Sequence, residues 1–128
     1  MKTFSNPNFK IYCFEPDPRN IESFKRNIND KRVTLIEKAI GNIDGEMVFH
    51  QSSTIYSSSL KNPNIENIKS SWSDISFENE IKIGATTIDT FIKENNIDMV
   101  DFIWADVQGA EDLMIKGAEN SLKNKIKY

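Results

Sequence analysis

Two acidic residues stand where α/β proteins do their chemistry. Glu15 directly follows the apolar run from Phe9 to Phe14 (FKIYCF), and Asp106 follows Met99 to Ala105 (MVDFIWA), the most apolar stretch of the chain. In open α/β sheets ligands bind beyond the carboxyl ends of the strands, so an acid just past a strand is placed to meet one. Glu15 offers two carboxylate oxygens, enough to accept from both hydroxyls of a ribose diol. The same position also suits a residue that starts a turn or favours the N-terminus of the next helix, and position alone leaves both roles open. Asp106 stands at the same kind of position, and its rival role is N-cap of the helix that follows. Glu111, one turn into that helix, either points back at the same pocket or simply sets a charge near a helix N-terminus.

Other chemistries find less support. His50 is the only histidine and has no Ser or Cys partner motif, so it reads as a surface or packing residue. Asp106, Glu111 and Asp112 would be the carboxylates to gather a cation, but acids at a helix start are common and no metal is assigned. Cys13 is the sole cysteine, which excludes an intramolecular disulfide and a Cys/His zinc cluster and fits a reducing compartment. Lys123, Lys125 and Lys127 read as the solvated C-terminal side of a helix.

Positioning those acids requires strands that alternate with helices. The Phe9–Phe14 strand must end at Glu15-Pro16-Asp17-Pro18. Asp17 then caps a helix with Pro18 at its first position, and Ile21, Phe24 and Ile28 share one face of it to about Asn29. Val33 to Ile40 (VTLIEKAI) reads as a second strand closed by Gly41 and the Asp44-Gly45 turn, and Glu46 to His50 as a third. The Ser/Asn-rich stretch from Gln51 to Asp74 reads as loop. A short strand from Glu80 to Ile83 precedes Thr86 and Asp89, which have capping-box spacing for a helix to about Asn95. Met99 to Ala105 reads as a central, buried strand. Gly109 opens a helix whose Ala110, Leu113, Met114, Gly117, Ala118 and Leu122 keep helical period, and Ile126-Lys127-Tyr128 has the character of another strand start. The alternation argues for an α/β fold with a mostly parallel sheet and flanking helices.

Composition sets the outer bounds. At 128 residues the chain is sized for one domain, and 27% charged with 38% hydrophobic residues describes a globular chain. A net charge of −3 leaves no surplus to hold a phosphate backbone, so nucleic acid is not the expected partner. No apolar run is long enough to span a bilayer, and the start MKTFSNPNFK has none at all, so membrane association is not expected and cytoplasmic residence is the economical reading.

Five ordered segments give a more specific signal: Phe14-Glu15-Pro16-Asp17-Pro18, Ala39-Ile40-Gly41 with Asp44-Gly45, Thr87-Ile88-Asp89, Asp106-Val107-Gln108-Gly109-Ala110-Glu111, and Lys116-Gly117-Ala118. Together they resemble the FkbM-like family of S-adenosylmethionine-dependent methyltransferases, over roughly Phe9 to Leu122. The resemblance implies a Rossmann-like class I methyltransferase fold that moves a methyl group from S-adenosylmethionine to an oxygen, commonly on a sugar or secondary metabolite. It implies a small-molecule or glycan acceptor. It would place Glu15, with Pro16 beside it, on the cofactor's ribose, and Lys38 and Ala39 near the adenine through backbone groups and apolar contact. Asp106 would face the reacting centre, touching cofactor and acceptor, with Glu111 as a second catalytic acid. Ser57, Ser58 and Ser59 followed by Leu60 resemble a serine-leucine segment near the family's active face.

The chain also departs from that pattern. The family's glycine-rich turn after the first strand is absent, since none of the five glycines forms a Gly-x-Gly. With only eight residues before Phe9, the match is expected to begin at the family's second strand, making residues 1–128 a single, partial domain. A sheet without that first strand must close the gap by direct pairing or with another chain, so homo-oligomers through exposed sheet edges are an expectation. Trp104 stands where the family often has a lysine, two positions before Asp106. The alternative to an enzyme is a non-catalytic remnant acting as a binding or oligomerisation module. A nicotinamide-dinucleotide binder is a weaker third reading, because no Gly-x-Gly-x-x-Gly is present.

Overall fold

The computed structural model describes residues 8–53, 58–60 and 77–128. Strand β1 (Ile11–Phe14) leads to helix α1 (Pro18–Asn27), then β2 (Val33–Ile36), β3 (Ala39–Ile40), β4 (Gly45–Ser52) and β5 (Phe77–Thr86). Three helices follow: α2 (Ile88–Glu94), α3 (Glu111–Lys116) and α4 (Glu119–Asn124). Among the described residues no helix is long and apolar enough to cross a membrane.

The chain opens β1–α1–β2 as an α/β chain should. Among the described residues four strands then run in succession from β2 to β5 before three consecutive helices, so the expected alternation holds only at the start and the expected mostly parallel sheet does not form. The strands form two small sheets: β1 and β2 pair in parallel from Ile11 opposite Val33 to Phe14 opposite Ile36, and β5 lies between a parallel β3 and an antiparallel β4. The run expected as one strand from Val33 to Ile40 is split between them. The Lys38 amide turns back to the Ile36 carbonyl at 2.8 Å, and Glu37 and Lys38 go to solvent, so Ala39 and Ile40 leave in a new direction. β5 runs well past the expected Glu80–Ile83 because the long β4 hairpin partner gives it a ladder from Gly45 opposite Ala85 to Ser52 opposite Phe77.

Strand β3 joins two cores by side-chain alternation. Ala39 packs with Phe49 and Ile83, while Ile40 packs with Ile88, Ile92 and Ala118. Phe14 joins the second cluster and meets Phe91 edge-on at 4.8 Å, with Tyr12 doing the same at 5.1 Å, which seats β1 against α2.

Helix ends show how local signals were redirected. Asp17 caps α1 as expected, its side chain accepting from the Arg19 amide, with Pro18 in the first turn; the helix ends at Asn27, two residues early. In α2 the cap is Thr87, which accepts from the Thr90 amide at 3.1 Å, and not Thr86. Asp89 is drawn away from its own helix to accept from the Asn120 and Ser121 amides at 3.1 and 2.8 Å, capping α4 from outside. The long helix expected after Gly109 is two short ones. Gly117 breaks it where the chain presses on β3's end: a Cβ there would collide with the Gly41 carbonyl oxygen and lie 3.2 Å from Thr87 Cβ.

Met99 to Ala105 is the largest correction. It is neither a regular strand nor buried. Val100 bridges Ile126 in parallel, with the Ile103 amide donating to the Tyr128 carbonyl at 2.9 Å, so the expected strand character of 126–128 reduces to this bridge. Phe102 and Trp104 are 55% and 85% exposed. A run apolar on both faces is buried only between neighbouring strands, and among the described residues it has this bridge alone.

Candidate active site

Glu15 sits at the mouth of the parallel β1–β2 pair, and its backbone continues the ladder by donating to the Ile36 carbonyl at 3.1 Å. Its side chain turns back over the start of α1. Oε1 accepts from the Asp17 amide at 2.9 Å and Oε2 from the Asn20 side-chain amide at 3.1 Å. The turn-forming role left open by sequence is therefore real. It does not exhaust the group, because each carboxylate oxygen has a second lone pair. The carboxylate is half-buried, and burial pushes its pKa above the ordinary 4.5 despite the lowering effect of the two donors. Pro16, half-buried, holds the chain extended between Glu15 and the cap.

Lys38 and Ala39 come to the same place by a shared acceptor. The Ile36 carbonyl takes both the Glu15 and Lys38 amides, so the ends of β1 and of the β2–β3 turn are fixed together. The Lys38 side chain is exposed and passes Gly84, while Ala39 is buried in the core. What Ala39 can offer a ligand is thus backbone, not side chain.

Asp106 lies on the loop that enters α3, and Glu111 is the first residue of that helix. The Gln108 side-chain amide donates to Asp106 Oδ1 at 2.6 Å, and the Gly109 amide donates to Glu111 Oε1 at 3.3 Å. Both acids are exposed. Asp106 is not the N-cap of α3; Ala110 holds that position without a side-chain bond. Glu111 folds back over the loop to accept from the Gly109 amide.

What links the two acid loops is a dipeptide. Ser58 Oγ donates to Asp17 Oδ2 at 3.4 Å and accepts from Arg19 Nη2 at 3.2 Å and the Ser52 amide at 3.1 Å. Ser59 Oγ donates to the Gln108 carbonyl at 2.9 Å. The serine segment therefore reaches from the loop beside Glu15 to the loop beside Asp106. Ser57 and nearly all of the stretch from there to Asp74 lie outside the described residues.

The centre of this network is Asp17, 0% exposed. Burial works against its charge, but Arg19 donates from Nε and Nη2 at 3.0 and 2.6 Å, and with Gln51 Nε2 at 3.2 Å holds the carboxyl below the usual range. Sequence reading found Asp17 as a cap but missed Arg19, Gln51 and Ser58 as its partners. The Asp-Pro-Arg spacing was the only local hint, since the other two come from 34 and 41 residues away. His50, buried on β4, bridges Ser59 through backbone bonds at 2.8 and 3.0 Å, which is the packing role expected of it. A cleft of about 480 Å³ between α2 and α4 shares no residue with either acid loop.

The whole chain, residues 1–128, matches the model of the methyltransferase FkbM domain, and the protein belongs to that family. It is 32% identical over 124 residues to the 2-O-methyltransferase NoeI of Sinorhizobium fredii (strain NBRC 101917 / NGR234), an alignment covering 91% of this chain and 50% of the relative. The chain thus spans about half the length of that curated relative. No solved structure matches. Membership establishes a methyltransferase family with a Rossmann-like α/β fold, in agreement with the resemblance carried by the five segments.

Proposed function

We propose that the chain is an S-adenosylmethionine-dependent O-methyltransferase acting on a hydroxyl of a small molecule or glycan, such as a sugar or secondary metabolite. The observation that carries this reading is Glu15: a half-buried carboxylate at a strand's carboxyl end, aimed by two hydrogen bonds and keeping lone pairs for a diol. As an acceptor this carboxylate suits the cofactor's ribose hydroxyls, and the Lys38–Ala39 backbone beside it suits an adenine. The name of the relative, a 2-O-methyltransferase, supports oxygen as the accepting atom. When bound, S-adenosylmethionine would supply an electrophilic methyl group on a cationic sulfur.

This chain's residues then divide the work. Glu15 would accept from the ribose hydroxyls, and Pro16 would hold the short link between that acid and the Asp17 cap. Asp106 would orient the acceptor hydroxyl and take its proton at a carboxylate oxygen as the new bond forms. Glu111 would keep the Gly109 turn closed around it and add a second negative charge.

Calorimetric titration with S-adenosylhomocysteine tests the reading. Micromolar binding corresponds to about −8 kcal/mol, and Glu15→Ala should weaken it by about 1.5–3 kcal/mol, the usual worth of hydrogen bonds to a charged group. A folded chain that gives no heat would sink the proposal. The exposure of Phe102 and Trp104 would then favour the second reading, a binding module without catalysis.

A further inference from the structure

We propose that Ser59 and Gln108 are positioning residues for Asp106, an inference that rests on the reading of Asp106 as the acid at the reacting centre. Gln108 is one of two non-glycine residues with positive φ among the described residues, at +50°. A side chain in the left-handed region is strained and persists where neighbours over-determine it. Here two contacts do so. The Ser59 hydroxyl, 7% exposed, donates to the Gln108 carbonyl at 2.9 Å, and the Gln108 side-chain amide donates to Asp106 Oδ1 at 2.6 Å. Ser59 is itself fixed by two backbone bonds to His50 on β4.

The consequence is directional. Asp106 lies on an exposed loop with no regular strand to hold it, so its orientation comes from this relay. Gln108 occupies Oδ1, and among the described residues no other group donates to the carboxylate, which leaves Oδ2 for a ligand. The neighbouring Ser58 ties the same dipeptide to Asp17, two residues from Glu15, so the relay also sets Asp106 relative to the other acid loop.

Binding of two probes to the full chain, S-adenosylmethionine and S-adenosylhomocysteine, tests this without any acceptor. The probes differ by one methyl group and one positive charge at sulfur, so a carboxylate held at the reacting centre favours the first. Asp106→Asn should lower the ratio of the two affinities by about threefold, within the range of a single exposed charge pair. Gln108→Gly and Ser59→Ala should reproduce that loss, Ser59→Thr should largely retain the ratio, and Ser59→Ala should add nothing in the Asp106→Asn background. Gln108→Gly removes the amide while favouring the same backbone conformation, so a merely structural role would leave the ratio untouched and the fold intact. An unchanged ratio in Gln108→Gly and Ser59→Ala, with Asp106→Asn still lowering it, would overturn the relay alone. No change in Asp106→Asn, or no binding by the chain at all, would overturn the reading of the site and the relay with it; Glu15→Ala, weakening both probes equally, tells those two cases apart.

Discussion

The side-chain amide of Asn20 donates to Oε2 of Glu15 at 3.1 Å, one turn into α1, so the helix that follows the strand aims the acid that ends it. A carboxylate aimed in advance loses less side-chain freedom when a ligand arrives. Asn20→Ala should therefore weaken S-adenosylhomocysteine binding by about three- to tenfold, as expected for one lost orienting bond of about 1 kcal/mol. Calorimetry beside a circular dichroism spectrum checks this, and an unchanged affinity would mean the Asp17 amide alone suffices.

Glu15 also predicts how binding depends on pH. Burial raises its pKa above the ordinary 4.5, so the acceptor form is lost at a higher pH than for a solvated glutamate. Cofactor affinity should fall as the solution is acidified toward that raised value, and the fall should be absent in Glu15→Gln. A titration series between about pH 4 and 7 reads it directly, that window flanking an ordinary glutamate pKa.

Stability should also fall in acid, through a different set of carboxylates. The carboxyls of Asp17, Asp44 and Asp89 lie below their ordinary 3.8, so the stability they contribute is complete above that value and is lost as pH falls through their folded pKa values. Glu15, with its raised pKa, contributes at acid pH and loses that contribution as pH rises, which partly offsets the trend. Urea midpoints measured from pH 6 down to about pH 2.5 should drop most steeply below about pH 4. Replacing Asp44, which accepts from the Thr87 amide and the Thr86 and Thr90 hydroxyls, with Asn should flatten the slope.

Asp89 caps a helix that carries no side-chain cap of its own. Asp89→Ala should cost about 1 kcal/mol, the usual worth of a helix cap, while Asp89→Asn, which can still accept, should cost less. Thermal melts of the two variants separate these outcomes, and equal losses would show that charge matters more than the acceptor.

Gly117 has no room for a side chain. Gly117→Ala would press a methyl group onto the Gly41 carbonyl oxygen, a rigid neighbour, and should cost about 3 kcal/mol. Chemical denaturation measures it, and a loss under about 1 kcal/mol would mean that α3 and α4 shift apart easily.

Sequence by itself determined the local pieces whose causes are local. The strand ending at Phe14, the Asp17 cap with Pro18, the Asp44-Gly45 turn and the helix from Ile88 all follow from residue types within one turn of each other. The order of five short segments carried the family as well. Tertiary structure decided where those pieces lead. Asp89, spaced like a capping-box partner, caps another helix because α4 offered two amides 31 and 32 residues away. Val33 to Ile40 was broken between two sheets because Ala39 and Ile40 each found a different core. Met99 to Ala105 reads as a buried strand by composition, yet burial is supplied by neighbours and not by the run itself. The relation of Glu15 to Asp106, 91 positions apart in the sequence, could not be read along the chain at all. It runs through Ser58 and Ser59, where each hydroxyl is ordinary locally and acquires its role only when the fold brings Asp17 to one and Gln108 to the other.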